Sequence, residues 1–296
     1  LEALAIDPAG IYVDGTFGRG GHARALLARL GTAGNLLGLD RDPQAVAAGS
    51  TLAQRDPRFA IEHMPISRMA EVARRRGLFG RVSGVLLDLG VSSPQLEAPD
   101  RGFSFSVDGL LDMRMDTSDG QTAAQWLARA EEEEIARVLR DYGEERHAKR
   151  IAQAIVQART ERPLVTTRAL GRIVAAASPS REPGKHPATR TFQAIRIHVN
   201  RELEELIACL AGVCGLLAAS GRLVVISFHS LEDRIVKRFI RNEARGDRFP
   251  RGLPVTAREI NTRLRPVGKP VRPSGAEVAA NSRARSALMR VAERLV

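Results

Sequence analysis

A glycine-rich turn closing the first strand of a strand–helix alternation constrains this chain more than any other feature. Ile11–Asp14 is a short β-type run that ends in an acid, Gly15 to Gly21 (GTFGRGG) follow, and residues 22–30 read as a helix. Apolar runs at Asn35–Asp40 (NLLGLD), 59–62 and 84–88 (GVLLD) predict three more strands, separated by helical stretches at 42–52 and 67–76. Strands that alternate with helices predict a doubly wound, mostly parallel sheet. Continuous apolar runs such as GVLLD suit strands covered on both faces.

The turn Asp14-Gly15-Thr16-Phe17-Gly18-Arg19-Gly20-Gly21-His22 offers close backbone approach to a ligand. Residues 18–23 satisfy the dinucleotide pattern G-x-G-x-x-G/A, with Asp40 at the spacing of a ribose-binding acid. Two features turn the expectation toward S-adenosylmethionine. Asp14 stands at the strand end, where a pyrophosphate would sit, and a carboxylate there suits an ammonium or sulfonium instead. Three strands end in acids, Asp14, Asp40 and Asp88, and in an open α/β sheet those ends line one crevice. Asp40 is the expected partner of the ribose hydroxyls.

Beyond the fourth strand the pattern changes. From about residue 106 to 185 no strand is legible, and helices are predicted at 123–130, 132–142, 145–160 and 167–177. The acids at 131–134 sit at a helix start, where carboxylates complement the dipole. The chain therefore reads as an α/β domain over 1–105 and 186–296 with an all-helical insertion over 106–185, assigned to substrate recognition. After residue 187, Phe192, Ile195, Val199, Leu203, Leu206 and Leu210 predict one long amphipathic helix, ended by Gly221. Residues 222–228 (RLVVISF) form the next strand, 245–275 read as an irregular basic arm, and 286–292 as a last edge strand.

Charge is gathered at one end. Residues 1–233 hold 29 Lys+Arg against 29 Asp+Glu, whereas residues 234–296 hold 16 against 5 and carry the whole net +11. A single-sign segment of this kind is the footprint of a polyanion such as RNA. Cys209 and Cys214, the only cysteines, lie five apart in an apolar helical stretch, a spacing that fits neither a metal pair nor a disulfide framework. Two buried thiols point to a reducing cytoplasm. The longest apolar run, 206–219, is too short to span a bilayer, so no membrane segment is expected. His63, His147, His186 and His198 lack metal-ligand spacing, and no metal is expected. The sequence opens on Leu1 rather than Met, as expected of a chain lacking a native N-terminal segment.

Two further clusters follow strands. Residues 86–95 (LLDLGVSSPQ) stand where a methyl acceptor would meet the cofactor. Amino-methylating enzymes often carry an Asp/Asn/Ser-Pro-Pro-aromatic signature there, which Ser93-Pro94-Gln95 meets in part. Residues 227–233 (SFHSLED) offer a ring and several hydrogen-bonding groups. A ring-conjugated amine is a poor nucleophile, and groups that bind the amine hydrogens and accept a proton would help. Ser92, Ser93 and His229 are the candidate catalytic residues, with a backbone carbonyl of 88–95 or Asp112 as alternatives.

Taken together, these segments resemble the bacterial 16S ribosomal RNA cytosine-N4 methyltransferase family (MraW/RsmH). The matching stretches are DGTFGRGGH at 14–22, LDRDPQA at 39–45, LLDLGVSSPQL at 86–96, RGFSF at 101–105, LDMRMD at 111–116, YGEERHAKRIAQAI at 142–155, HPATRTFQAIRIHVNRELEEL at 186–206, ISFHSLEDRIVKRF at 226–239 and NSRARSALMRVAER at 281–294. The resemblance implies a class I (Rossmann-like) methyltransferase domain with a helical insertion after the fourth strand. It also implies S-adenosylmethionine as cofactor and N4 methylation of a cytidine in the decoding region of small-subunit rRNA. Carried over by position, the cofactor contacts are Gly20, Gly21, His22, Asp40, Ile66, Asp88 and Gln95. Relatives often have an aromatic residue at the position of Ile66, which leaves apolar packing but no ring stacking on the adenine. A His-x-Pro-Val-Leu segment usual before the first strand is absent from this sequence. The alternatives are an NAD(P)-linked oxidoreductase, a non-catalytic ribosome-assembly factor and a DNA amino-methyltransferase. Monomer and homodimer both stay open.

Overall fold

The computed structural model describes residues 1–178, 186–247 and 261–295. The chain divides into two compact units, Leu1–Gly90 with Leu203–Val296, and Val91–Glu202.

The first unit opens with β1 (Ile11–Asp14), α1 (Gly21–Leu27), β2 (Asn35–Asp40), α2 (Pro43–Ala53), β3 (Phe59–His63), α3 (Met69–Arg75) and β4 (Val82–Asp88). Asp42 caps α2 by accepting from the Gln44 N–H at 2.9 Å, and Pro43 stands in the first turn, where its missing donor costs nothing. Alternation along each strand sorts side chains to two faces. Val13, Leu37, Val85 and Leu87 join a core completed by Met69 and Val72 of α3. Tyr12, Leu36 and Leu86 join the opposite core with Leu26 and Leu27 of α1. Both faces are thus buried, as continuous apolar runs require.

The second unit contains α4 (Ser93–Glu97), α5 (Ala123–Arg129), α6 (Glu132–Gly143), α7 (Ala148–Glu161), α8 (Thr167–Ala177) and α9 (Thr189–Asn200). One core unites Trp126, Ile135, Leu139, Ile151, Leu170, Phe192 and Ile195. The acids at the start of α6 act structurally: Glu132 to Glu134 fill its first turn, and Glu134 accepts the Trp126 indole N–H at 3.0 Å. The expected breaks at 105/106 and 185/186 fall inside this unit. Val91, Leu96 and Phe103 pack onto the helical core at one end and α9 does so at the other, so the unit is wider than the strand-free stretch.

The chain then returns to the first unit through α10 (Glu202–Leu216), followed by β5 (Leu217–Ser227), α11 (Ser230–Arg245), β6 (Leu264–Pro266), α12 (Gly275–Ala280) and β7 (Leu288–Arg294). The single long helix expected after residue 187 is two helices. Arg201 adopts a left-handed φ of 50°, and Asn200 turns into the core, donating to Met113 O (2.7 Å) and accepting the Met115 N–H (2.7 Å). Apolar spacing of three and four persists across the break, which is why periodicity misses it. The helix also ends before Gly221, at Leu216. Cys209 and Cys214 are free and buried on α10, and burial pushes both thiols up to about 12.

The seven strands run in the order β3-β2-β1-β4-β5-β7-β6, all parallel except β7, which is antiparallel to both β5 and β6. This is the class I Rossmann-like arrangement. β7 is therefore interior and β6 is the edge, a correction to the edge strand expected at 286–292. β6 also lies in what reads as an irregular arm: three residues with a proline are too short to show a period. Residues 248–260 of that arm lie outside the described residues. No helix among the described residues is long and apolar enough to cross a membrane.

Candidate active site

The parallel strands bring their carboxyl ends to one edge of the sheet, and the register sets three acids there. Asp14 of β1 is level with Gly38 of β2 and Leu86 of β4. Asp40 and Asp88 therefore reach two residues, about 7 Å, further along than Asp14. Asp14 is set back between them and fully buried.

The turn after β1 is tied to both neighbouring strands. The Gly15 N–H donates to Leu86 O at 2.9 Å and the Phe17 N–H to Leu39 O at 3.0 Å. The Asp88 N–H donates to Thr16 Oγ1 at 2.7 Å. Asp40 accepts the Gly18 N–H on Oδ2 (2.7 Å) and the Asp42 N–H on Oδ1 (2.9 Å). Gly20 caps α1 with φ 73°, and a Cβ there would stand 2.6 Å from the Phe17 ring, so both backbone and space require glycine. Gly21 faces open space, with no atom within 4 Å of where a Cβ would be. The Phe17 ring is fixed in turn against Phe59, with centroids 5.3 Å apart.

His22, in the first turn of α1, places Nε2 3.3 Å from Asp88 Oδ2. That contact raises the imidazole pKa despite partial burial. Asp14 accepts the Thr16 N–H at 3.2 Å on Oδ1, while its Oδ2 is buried without a hydrogen-bond partner. Burial first, and then the charges of Asp88 and Asp40, push Asp14 up from 3.8 to about 7. Asp40 is also raised, chiefly by burial. Asp88 Oδ1 is likewise buried and unpartnered. Two carboxylate oxygens without protein donors, beside open glycine backbone, fit a ligand that carries positive charge and hydrogen-bond donors. They are ill-suited to a pyrophosphate. Ile66 follows β3, and its Cγ2 lies 3.6 Å from where a Cβ on Gly15 would be.

At the end of β5, Asp88 is in register with Ile226, and Ser227 is buried with its hydroxyl unpartnered. His229 is the N-cap of α11, accepting the Glu232 N–H on Nδ1 at 3.4 Å, while Glu232 accepts the Phe228 N–H at 2.8 Å. Its Nε2 is 3.2 Å from Glu232 Oε1 but off the line of a hydrogen bond. Ser92, Ser93 and Gln95 belong to the second unit. Ser92 is the N-cap of α4, its N–H donating to Gln95 Oε1 at 2.9 Å; Gln95 is buried and Ser93 exposed. The structure thus gathers Gly20, Gly21, His22, Asp40, Ile66 and Asp88 around one strand edge. Reading the sequence misses Thr16, which ties the turn to β4, and Glu232, which organises the loop after β5. The second was legible as a glutamate three positions after a cap residue.

Comparison with known proteins agrees with this geometry. The family model described as "MraW methylase family" matches residues 1–295. A protein of Nitrosospira multiformis named ribosomal RNA small subunit methyltransferase H is 60% identical over 301 residues, covering 100% of this chain and 94% of that protein. Identically named proteins of Thioalkalivibrio sulfidiphilus (59%; 100% of this chain, 94% of the other) and Azoarcus sp. (60%; 99% and 94%) are similar to the same extent. Full-length identity at this level leaves one conclusion: the chain belongs to the MraW methylase family.

Proposed function

We propose that this protein transfers a methyl group from S-adenosylmethionine to small-subunit ribosomal RNA, at the exocyclic N4 amine of a cytidine in the decoding region. The observation that carries the reading is the 60% identity, over the whole chain, to proteins named for small-subunit rRNA methylation. The acid-lined edge of the sheet supports the cofactor.

When bound, S-adenosylmethionine supplies a methyl group already activated by its sulfonium. Asp40, held by two backbone amides, accepts the ribose hydroxyls through its remaining lone pairs. Gly20 and Gly21 let the backbone come close to the amino-acid portion, and His22 and Asp88 flank it. Ile66 packs on the adenine. Asp14 and Asp88 supply negative potential for the ammonium and sulfonium. We also assign Gln95 to the cofactor, and Ser92, Ser93 and His229 to binding the amine hydrogens and accepting the proton. These assignments leave the enzyme mainly a positioning task, holding the amine in line with the methyl group. Ribosomal RNA as substrate and two buried thiols both suit the cytoplasm.

Mass spectrometry of 16S rRNA from cells with and without this chain tests the reading. N4-methylcytidine should disappear in the deletion and return with the wild-type gene. Its persistence, with no second enzyme responsible, would sink the substrate assignment. Titration with S-adenosylhomocysteine and NADH separates methyl transfer from the oxidoreductase alternative.

A further inference from the structure

Among the described residues, the basic C-terminal segment includes two contrasting sets of cations. One set, on or beside the last two strands, is neutralised within the fold: Arg290 pairs with Asp233 (2.6 Å), Arg263 with Glu243 (2.6 Å) and Arg265 with Glu293 (2.6 Å). Those on the outer face of α11 are not. Lys237, Arg238, Arg241 and Arg245 are exposed and form no ion pair among the described residues. At 100° per residue they fall within one arc of about 100°, over about 12 Å of the helix axis. The opposite face, with Val236 and Ile240, is buried against the sheet. None of the helix's acids dilutes this ridge. Glu232 is turned to the backbone of the preceding loop, Asp233 to Arg290 and Glu243 to Arg263. α11 starts three residues after the end of β5, whose register partner is Asp88, and runs back along the sheet. The ridge therefore leads away from the strand edge that holds the three acids.

We propose that the outer face of α11 is a phosphate track, on which Lys237, Arg238, Arg241 and Arg245 hold the backbone of the RNA strand adjoining the target nucleotide. A straight row of four cations over about 12 Å of helix axis suits successive phosphates of an extended single strand. A duplex would present its phosphates in two diverging rows. The proposal rests on the RNA-substrate reading and adds which cations contact the substrate and which only hold the fold.

The test uses the full chain and a fluorescein-labelled single-stranded oligoribonucleotide containing the decoding-region target cytidine. Binding anisotropy is measured across a salt series for the wild type, K237Q/R238Q, R241Q/R245Q and the four-fold variant. A control variant, R263Q/R265Q, removes paired cations. Each lost phosphate contact on a single strand lowers the slope of log affinity against log salt by about 0.7, so the four-fold variant should lose about 3. Wild-type affinity should fall about 50-fold more than the variant's between roughly 50 and 200 mM salt. Each pair should lose about half of that slope, and the control should keep the wild-type slope. Binding of S-adenosylhomocysteine should be unchanged in the two pairs, which shows that they fold. An unchanged slope in the four-fold variant, or an equal loss in the control, overturns the track. If the ridge variants instead lose binding to phosphatidylglycerol vesicles while RNA binding stands, the face belongs to a membrane surface and the proposal fails. Methyl transfer into small-subunit RNA is measured in parallel. Its absence in the wild type overturns the substrate reading and the track with it; transfer with an unmoved salt slope overturns the track alone.

Discussion

Replacing Asp14 by asparagine isolates the electrostatic cost of the acid-lined edge. Asp14 ionises near 7 in the fold against 3.8 as a free side chain. An acid raised on folding binds more protons folded than unfolded between those values, so stability falls as pH climbs from about 4 to 7, and the penalty is fully present above 7. The whole shift corresponds to about 4 kcal/mol, of which more than half, roughly 2–3 kcal/mol, appears between pH 5 and 8. Asparagine keeps the acceptor for the Thr16 N–H and removes the titration. It also brings a buried donor that has no partner, at a pH-independent cost of about 1–3 kcal/mol. Comparing each protein with itself at two pH values cancels that cost. Urea unfolding of the cofactor-free protein should show the wild type losing about 2–3 kcal/mol more than the variant between pH 5 and 8. The ionised form should also bind the cationic cofactor better. Wild-type affinity for S-adenosylmethionine should rise about tenfold from pH 6 to 8 as the ionised fraction of Asp14 grows, and more weakly for the uncharged-sulfur product. In the variant the part of both rises that comes from Asp14 should vanish, leaving only what the His22 imidazole contributes. Parallel stability–pH curves for the two proteins would refute the reasoning.

Three other perturbations follow from the same geometry. Asp40→Ala removes the acceptor of the Gly18 and Asp42 amides, and should weaken S-adenosylhomocysteine by tenfold or more in calorimetry, about 1.4 kcal/mol. Gly20→Val places a side chain on the Phe17 ring at φ 73°; thermal melting should show a loss of about 2–4 kcal/mol, with cofactor binding lost too. Asn200→Ala leaves Met113 O and the Met115 N–H buried and unpaired, and should cost about 2–4 kcal/mol in denaturant unfolding.

Elements with their own local signal are legible in the amino-acid sequence. β1 and β2 lie where their apolar runs place them, and the helix at 167–177 has the predicted bounds. The glycine turn and its three acids announce an acid-lined strand edge because residue type and strand position suffice to put charges at one end of a parallel sheet. Features that depend on partners distant in sequence are not legible. Apolar spacing runs straight through the break at Arg201, which is decided by Asn200 reaching Met113 and Met115, more than eighty residues away. The short β6 carries no period of its own and exists because β7 has a free edge for it.

What the sequence determined alone is chemical: which carboxylates end which strands, where glycine must stand, and that the final stretch of the chain is cationic. Tertiary structure decided how those charges are used. It buried Asp14 completely, so that an ordinary aspartate titrates near neutrality, and it left one oxygen each of Asp14 and Asp88 without a donor. It also cancelled some C-terminal cations against Asp233, Glu243 and Glu293 and left others, four of them on the face of α11, exposed without a counter-charge among the described residues. The physical reason is the same in each case. A charge's identity is fixed by its residue, but its energy depends on the water and the counter-charges around it, and only the packed fold sets those.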